Sequence, residues 1–134
     1  MELPLARILV VDDDRHVGAT LRDLLLDLGY AVKNAVRGDE ALRLIEVFCP
    51  DVVLLDLHLP GLPGAEVFER LRREHPGLPV IIVSANTDDG VAGRTLAMGA
   101  LDYVGKPFTV ERLERVVATA VTAAWATRVD PGRS

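Results

Sequence analysis

Short apolar runs alternate with longer amphipathic segments along the whole chain. Five of the runs are too short for a helix of ordinary length, and those at 7–11, 52–55 and 79–83 are rich in β-branched residues, which is typical of buried strands. The run at 30–35 indicates a weaker strand, and the one at 101–104 a short strand. The segments that follow the five runs repeat apolar residues at helical spacing, over residues 15–28, 41–48, 65–75, 91–98 and 110–125. Strands that alternate with helices in this way predict a parallel sheet covered by helices on both faces.

Residues with capping or breaking chemistry mark the ends of several predicted helices. Asp14 is placed to cap the first helix, Gly29 to close it, and Thr109 to cap the last one. Gly90 and Gly93 weaken the fourth helix, so we expect it to be the most mobile of the five. The pattern therefore predicts a doubly wound five-stranded α/β fold in three layers, α/β/α.

Composition is consistent with one ordinary domain. The 134 residues are 49% hydrophobic, enough to bury a real core, and no interior linker or repeat divides them. We assign residues 5–126 to the domain and residues 127–134 to a C-terminal tail or the start of a linker.

Charge and cysteine usage exclude several classes of function. The net charge of −5 argues against direct nucleic-acid binding by this domain. Without a run of about 20 apolar residues or a signal-peptide pattern, we expect no membrane contact and a cytoplasmic location. A single Cys49 cannot form an internal disulfide, and beside two apolar residues it is predicted to be a small packing side chain.

Polar residues stand at the carboxyl ends of four of the predicted strands. Asp12 and Asp13 come after the first strand, Asp56 after the third, Ser84 after the fourth and Lys106 after the fifth. The carboxyl ends of parallel strands share one edge of the sheet, where ligands bind in folds of this kind. We therefore expect these five side chains to converge on one site.

The chemistry of this set favours a metal and a phosphoryl group. Three carboxylates together need a cation, and an oxygen-only cluster without His or Cys favours Mg²⁺. A lysine and a hydroxyl suit phosphoryl oxygens, as a point charge and a hydrogen-bond donor. Only Lys33 and Lys106 are lysines among 15 basic residues, so a compact ammonium stands at this edge in a chain that otherwise uses arginine.

At these positions the chain resembles the receiver domains of two-component response regulators, a resemblance that covers residues 5–126. It is carried by the ILVVDDD opening at 8–14, the DLHLPG segment at 56–61, Ser84-Ala85, and the stretch 99–108 with Gly99-Ala100, Tyr103 and Lys106-Pro107-Phe108. The resemblance implies a flavodoxin-like fold. It also implies a phosphoacceptor switch that assists its own phosphorylation and dephosphorylation, and not an enzyme with an external substrate.

The resemblance assigns roles to individual residues. Asp56 would accept a phosphoryl group from a histidine kinase or histidine phosphotransfer protein. Mg²⁺ would be held by Asp13, Asp56 and the main-chain carbonyl of His58, with Asp12 holding it through water. Ser84 and Lys106 would bind phosphoryl oxygens.

Further expectations from the resemblance concern the switch and its surroundings. Tyr103 would move inward as Ser84 is drawn toward the phosphate, and the peptide bond before Pro107 would be cis. His58 and Asn86 are candidates to tune the rate of phosphate loss. A homodimer through the last two helices and the fifth strand is the family's common habit.

Alternative readings remain for several of these features. Asp56 as a turn former, Asp12 and Asp13 as a helix cap, Lys106 as a surface ion-pair partner and Tyr103 as a packing residue are the structural alternatives. Trp125 near the end of the last helix fits either an interface or a lid on the core. For the whole chain, the alternatives are a phosphohydrolase of the haloacid dehalogenase kind, or a degenerate receiver acting as a binding platform. The first needs a second acid where His58 stands, together with a cap domain.

Overall fold

The five apolar runs form a single sheet in which every pairing between neighbours is parallel. The computed structural model describes residues 3–85 and 89–128, and within them the strand order is β2-β1-β3-β4-β5. The strands are β1 (Arg7–Val11), β2 (Ala31–Ala35), β3 (Val52–Leu55), β4 (Val80–Ser84) and β5 (Asp102–Gly105). The predicted doubly wound fold is therefore confirmed.

Five helices alternate with these strands. They are α1 (Arg15–Asp27), α2 (Gly38–Phe48), α3 (Gly64–Glu74), α4 (Asp89–Ala97) and α5 (Val110–Arg128). The main departures from the predicted bounds are in α2, which begins three residues earlier, in α4, which begins two residues earlier, and in α5, which continues past Trp125. That tryptophan is 40% exposed on α5.

Two apolar layers hold the helices to the sheet. On one face, buried side chains of β1 and β3 pack against α1 and α5, with Leu21, Leu25 and Leu113 at most 1% exposed. On the other face, alternate residues of the same strands pack against α2 and α3, including Ile45 and Phe68. Because successive strand residues point to opposite faces, strands buried on both sides must be apolar throughout, as these runs are.

The predicted capping residues lie where the sequence placed them. Asp14 Oδ1 accepts hydrogen bonds from the backbone N–H groups of His16 and Val17 at 2.9 and 3.2 Å. Thr109 Oγ1 accepts one from the N–H of Arg112 at 3.1 Å. Gly29 follows α1 with a φ of 97°, a left-handed conformation that glycine adopts at low cost.

The expectation for Cys49 was wrong. This residue is exposed and ends α2 in a left-handed conformation with a φ of 52°. Its Sγ lies 3.5 Å from the carbonyl oxygen of Glu46. The apolar neighbour Val47 misled the prediction because it is itself 76% exposed and does not mark a buried face.

Among the described helices, none combines the length and hydrophobicity that crossing a membrane requires.

Candidate functional site

The register of β1 and β3 brings two acids side by side. Val11 pairs with Leu55, so the next residue of each strand, Asp12 and Asp56, emerges at the same level of the sheet edge. The backbone N–H of Asp56 donates to the carbonyl of Val11 at 2.9 Å, and that of Asp12 donates to Ala35 at 3.0 Å. Hydrogen bonds of the sheet therefore fix the backbone positions of Asp12 and Asp56 independently of any side-chain contact.

The register of β4 and β5 places the hydroxyl and the lysine in the same way. Ser84 pairs with Gly105, and the N–H of Lys106 donates to the carbonyl of Ser84 at 3.0 Å. The Lys106–Pro107 peptide bond is cis, as expected. Ser84 is fully buried at the end of β4, next to Asp56, the residue that follows β3.

Lys106 bridges the two buried acids. Its Nζ lies 2.6 Å from Asp12 Oδ2 and 2.8 Å from Asp56 Oδ2. The acids are only 3% and 5% exposed, so a cation between them offsets a repulsion that water cannot screen well. The reading of Lys106 as a surface ion-pair partner does not fit this position.

The other oxygen of Asp56 is also engaged. Asp56 Oδ1 accepts a hydrogen bond from Ser84 Oγ at 3.2 Å and another from the backbone N–H of His58 at 2.9 Å. Together with Lys106 on Oδ2, the carboxylate is held by an ammonium, a hydroxyl and a backbone amide. All three donors have the chemistry that binds phosphoryl oxygens as well as carboxylate oxygens.

Burial and charge shift two ionisable groups of the site. Burial raises the pKa of the Asp12 carboxyl above its ordinary value, against the hydrogen bonds it accepts from Lys106 and from the N–H of Asp14. Burial alone would lower the pKa of Lys106, but its hydrogen bonds and charge interactions with Asp12 and Asp56 outweigh that effect and raise it. Lys106 is therefore held firmly in its charged form.

A set of carboxylate oxygens at this edge fits a hard cation. Asp12, Asp13 and Asp56 each offer an oxygen, and these oxygens lie within 4.8 Å of one another. Asp13 is exposed while the other two are buried, so solvent can reach the cluster from its side. Oxygen donors without a thiolate or imidazole in the set match Mg²⁺ rather than a transition metal.

Gly64 is a residue of the site that the sequence pattern does not identify. A Cβ at this position would lie 2.3 Å from the carbonyl oxygen of Asp56 and 2.5 Å from the Cα of Leu57. The first residue of α3 is thus packed directly on the backbone that carries Asp56. The signal in the sequence was a glycine eight residues after the acid, but a close approach between backbones cannot be read from spacing alone.

His58, Tyr103 and Asn86 are the remaining residues predicted for the site. His58 contributes its backbone N–H to Asp56, and its side chain is exposed. Its carbonyl as a metal ligand stays a prediction. Tyr103 is half-buried and packs against the apolar layer shared with α2 and α3. Asn86 lies outside the described residues.

A doubly wound parallel sheet with two acids, a hydroxyl and a lysine converging at its carboxyl edge defines a receiver domain. The chain belongs to this family, because the model of the response regulator receiver domain matches residues 8–118.

Curated relatives agree with this assignment. The response regulator MprA of Mycolicibacterium vanbaalenii is 47% identical over 109 residues, which cover 80% of this chain and 46% of that protein. MprA of Mycobacterium ulcerans is 45% identical over the same coverage. The chain spans about half the length of the curated relatives it matches.

Solved structures agree as well. The signal receiver domain of a putative Luxo repressor protein from Vibrio parahaemolyticus superposes with a TM-score of 0.89 at 26% identity, covering 94% of this chain and 97% of that one. The receiver domain of NtrX from Brucella abortus gives a TM-score of 0.82 at 33% identity, covering 86% and 98%.

Proposed function

We propose that this chain is the phosphoacceptor switch of a two-component pathway, with Asp56 taking a phosphoryl group from the phosphohistidine of a kinase or phosphotransfer protein. The observation that carries the proposal is the environment of Asp56. Its two oxygens are contacted by Lys106, Ser84 and a backbone N–H, donors that suit a phosphoryl group. Membership of the receiver family supports the same role.

In the proposed reaction, a carboxylate oxygen of Asp56 attacks phosphorus in line with the phosphorus–nitrogen bond of the donor. The new oxygen–phosphorus bond forms as the phosphorus–nitrogen bond breaks, and the imidazole leaves with the bonding electron pair and is protonated by solvent. Transfer of this kind needs positioning and charge neutralisation more than covalent help from the protein. Lys106 and Ser84 already touch the carboxylate, so they would pass to the phosphoryl oxygens as these arrive.

Mg²⁺ is the metal ion proposed for this site. When bound, it neutralises the charge on the acids and on the transferring phosphoryl oxygens. Asp13 and Asp56 would hold it directly, together with the carbonyl of His58, and Asp12 would hold it through water. Asp12 and Asp56 would then share their charge between the ion and Lys106.

The switch is proposed to run from Ser84 toward α4, β5 and α5. Ser84 ends β4 and contacts Asp56, so movement of its hydroxyl toward a phosphoryl oxygen would act on the chain that leads to α4. Tyr103 on β5 is half-buried and would move inward into the space that Ser84 leaves. His58 and Asn86 stay proposed tuners of the rate at which water removes the phosphate.

The proposed partners follow from the same role. A phosphohistidine donor must reach Asp56 at the sheet edge, where Asp13 and His58 are exposed. A homodimer is proposed through the surface of α4, β5 and α5. Apolar side chains exposed by 38 to 49% support it there; they are Leu96, Met98, Leu101 and Val110.

The test is incubation of the 134-residue chain with Mg²⁺ and an acyl phosphate donor, followed by intact-mass analysis. We expect one phosphoryl group per wild-type chain, stable in acid and labile in base as an acyl phosphate is. Asp56→Asn should gain none.

A wild-type chain that gained no phosphoryl group under these conditions would contradict the proposal. In a parallel incubation with a phosphoester, repeated turnover that gave many moles of product per mole of protein would instead favour the phosphohydrolase reading. Equal labelling of wild type and Asp56→Asn would place the acceptor elsewhere.

A further inference from the structure

A second group of metal-ligating side chains lies on the surface formed by α2 and α3. Glu46, Glu74 and His75 each offer one donor atom, and these three atoms lie within 4.8 Å of one another. Glu46 is near the end of α2, while Glu74 and His75 end α3. We propose that these three residues form a site for a divalent transition-metal ion such as Zn²⁺, with water completing the coordination.

The site lies at the opposite edge of the sheet from Asp56. A helix that crosses between parallel strands runs back along the sheet, so α2 and α3 end beside the amino ends of the strands that follow them. Glu46 and His75 accordingly line a pocket of about 390 Å³ together with Pro50, Asp51 and Pro79, the residues that lead into β3 and β4. This cluster is therefore independent of the proposed phosphoacceptor site.

The donor set distinguishes this cluster chemically. One imidazole nitrogen and two carboxylates are ligands that suit Zn²⁺, with one position left for water, whereas the oxygen-only set of Asp12, Asp13 and Asp56 suits Mg²⁺. Two carboxylate charges balance the charge of one dication. The carbonyl end of α2 adds to the negative potential, because its last turn carries no basic residue, whereas the last turn of α3 carries Arg72 and Arg73.

The position of each ligand is partly set by the fold. Ile45 next to Glu46, and Leu71 four residues before His75, are buried in the same apolar layer, which holds the two helices together. The backbone N–H of His75 donates to the carbonyl of Leu71 at 2.8 Å. His75 Nε2 already lies 3.2 Å from Glu46 Oε1, so the imidazole is aimed into the cluster.

The contacts that an ion would displace are weak. Glu74 pairs with Arg70 at 3.5 Å, but both side chains are more than 40% exposed, and ion pairs at such positions contribute little to stability. The contact of His75 with Glu46 is also solvent-exposed on the glutamate side. An ion held by residues of two helices would tie the ends of α2 and α3 together and stabilise the folded chain by mass action.

The test is calorimetric titration of Zn²⁺ into the full chain carrying Asp13→Asn and Cys49→Ser, with Mg²⁺ in excess. The first change weakens the competing acidic site and the second removes the thiol that lies beside the pocket. We expect one Zn²⁺ per chain, and a rise in the midpoint of thermal unfolding that Mg²⁺ alone does not give.

Ligand variants and a matched control decide the assignment. Glu46→Gln and His75→Gln in this background should each weaken Zn²⁺ binding at least about tenfold. Glu69→Gln removes the same charge from an exposed position of α3 outside the cluster and should leave affinity unchanged. Circular dichroism checks the fold, and if His75→Gln fails to fold, Glu46→Gln against Glu69→Gln still carries the comparison.

No Zn²⁺ uptake by the background chain would overturn the proposal. It would also be overturned if Glu69→Gln weakened binding as much as Glu46→Gln, because bulk charge and not a built site would then explain the affinity.

Discussion

At the scale of single residues, Lys106 is the centre of the site in this structure. It is only 16% exposed at its side chain and touches both buried acids, so it plays the part of a counterion as well as of a proposed phosphoryl ligand. Its raised pKa means that the charged form is favoured more in the folded chain than in the unfolded one. The stability it contributes is therefore complete below pH 10.5 and is lost only as the pH rises through the folded-state pKa above that.

Lys106→Met should lower the free energy of unfolding at pH 7.5 by about 2 kcal/mol in Mg²⁺-free buffer, because two buried carboxylates lose their counterion. Adding Mg²⁺ should close most of the gap, since the ion and the ammonium serve the same acids. Urea unfolding with and without Mg²⁺ measures both effects.

Lys33→Met is the matched control for this change. Lys33 is the other lysine of the chain and is exposed on β2, so its loss should change stability little. A Lys106→Met protein as stable as Lys33→Met without Mg²⁺ would contradict the counterion role.

Asp13→Asn should reduce Mg²⁺ affinity at least about tenfold and leave the fold intact, because this acid is an exposed proposed ligand. Calorimetric titration of Mg²⁺ measures the change. Asp14→Asn is the control. It removes the same charge one residue later and keeps a side-chain oxygen that can cap α1, so affinity should stay within about threefold of wild type. Equal losses in the two variants would argue against Asp13 as a ligand.

At the scale of elements, the contact between α3 and the end of β3 fixes the loop that carries Asp56. Gly64 brings the helix start against the Asp56 and Leu57 backbone with no room for a side chain. The ring of the neighbouring Pro63 fixes its φ, which is −60° in this turn.

Gly64→Ala should therefore lower the free energy of unfolding by about 2 kcal/mol and slow phosphate uptake, because the backbone beneath Asp56 must shift. Gly93→Ala is the counterpart in α4. A Cβ there meets nothing within 4 Å, so the change should stabilise the chain by about 0.5–1 kcal/mol. Chemical unfolding of the two variants tests the pair, and a neutral Gly64→Ala would show that the close contact does not constrain the loop.

The strand and helix pattern could be predicted from the sequence because each face of the sheet requires an apolar strand residue. Contacts made by helix ends could not. Arg72 in the last turn of α3 is a case: its guanidinium donates to the carbonyls of Leu78 and Gly99 and lies over the Phe68 ring. An arginine at a helix end is usually solvated, and nothing in its spacing indicates that it joins α3 to the turn before β5.

At the scale of the whole molecule, the topology of the sheet explains why the site around Asp56 could be located from the sequence. Parallel strands share a carboxyl edge, so residues that follow strands converge whatever their separation along the chain. Asp12 and Lys106 meet although they are 94 positions apart in the sequence. No comparable rule of topology brings Glu46, Glu74 and His75 together. Their proximity depends on how α2 and α3 pack, which the hydrophobic pattern does not specify.

The two proposed metal sites therefore lie at opposite edges of the sheet and differ in their donor chemistry. Domain boundaries at 5–126 and the homodimer surface stay predictions. The chain spans about half the length of its curated relatives, so what the proposed switch acts on stays part of the proposal.

The most direct test of the account is peptide mapping by mass spectrometry after exposure to an acyl phosphate donor and Mg²⁺. The account predicts one phosphoryl group, on the peptide containing Asp56, absent in Asp56→Asn and in buffer with a Mg²⁺ chelator, and unchanged in the exposed control Asp23→Asn. Phosphate on another residue, or uptake independent of Asp56, would contradict it.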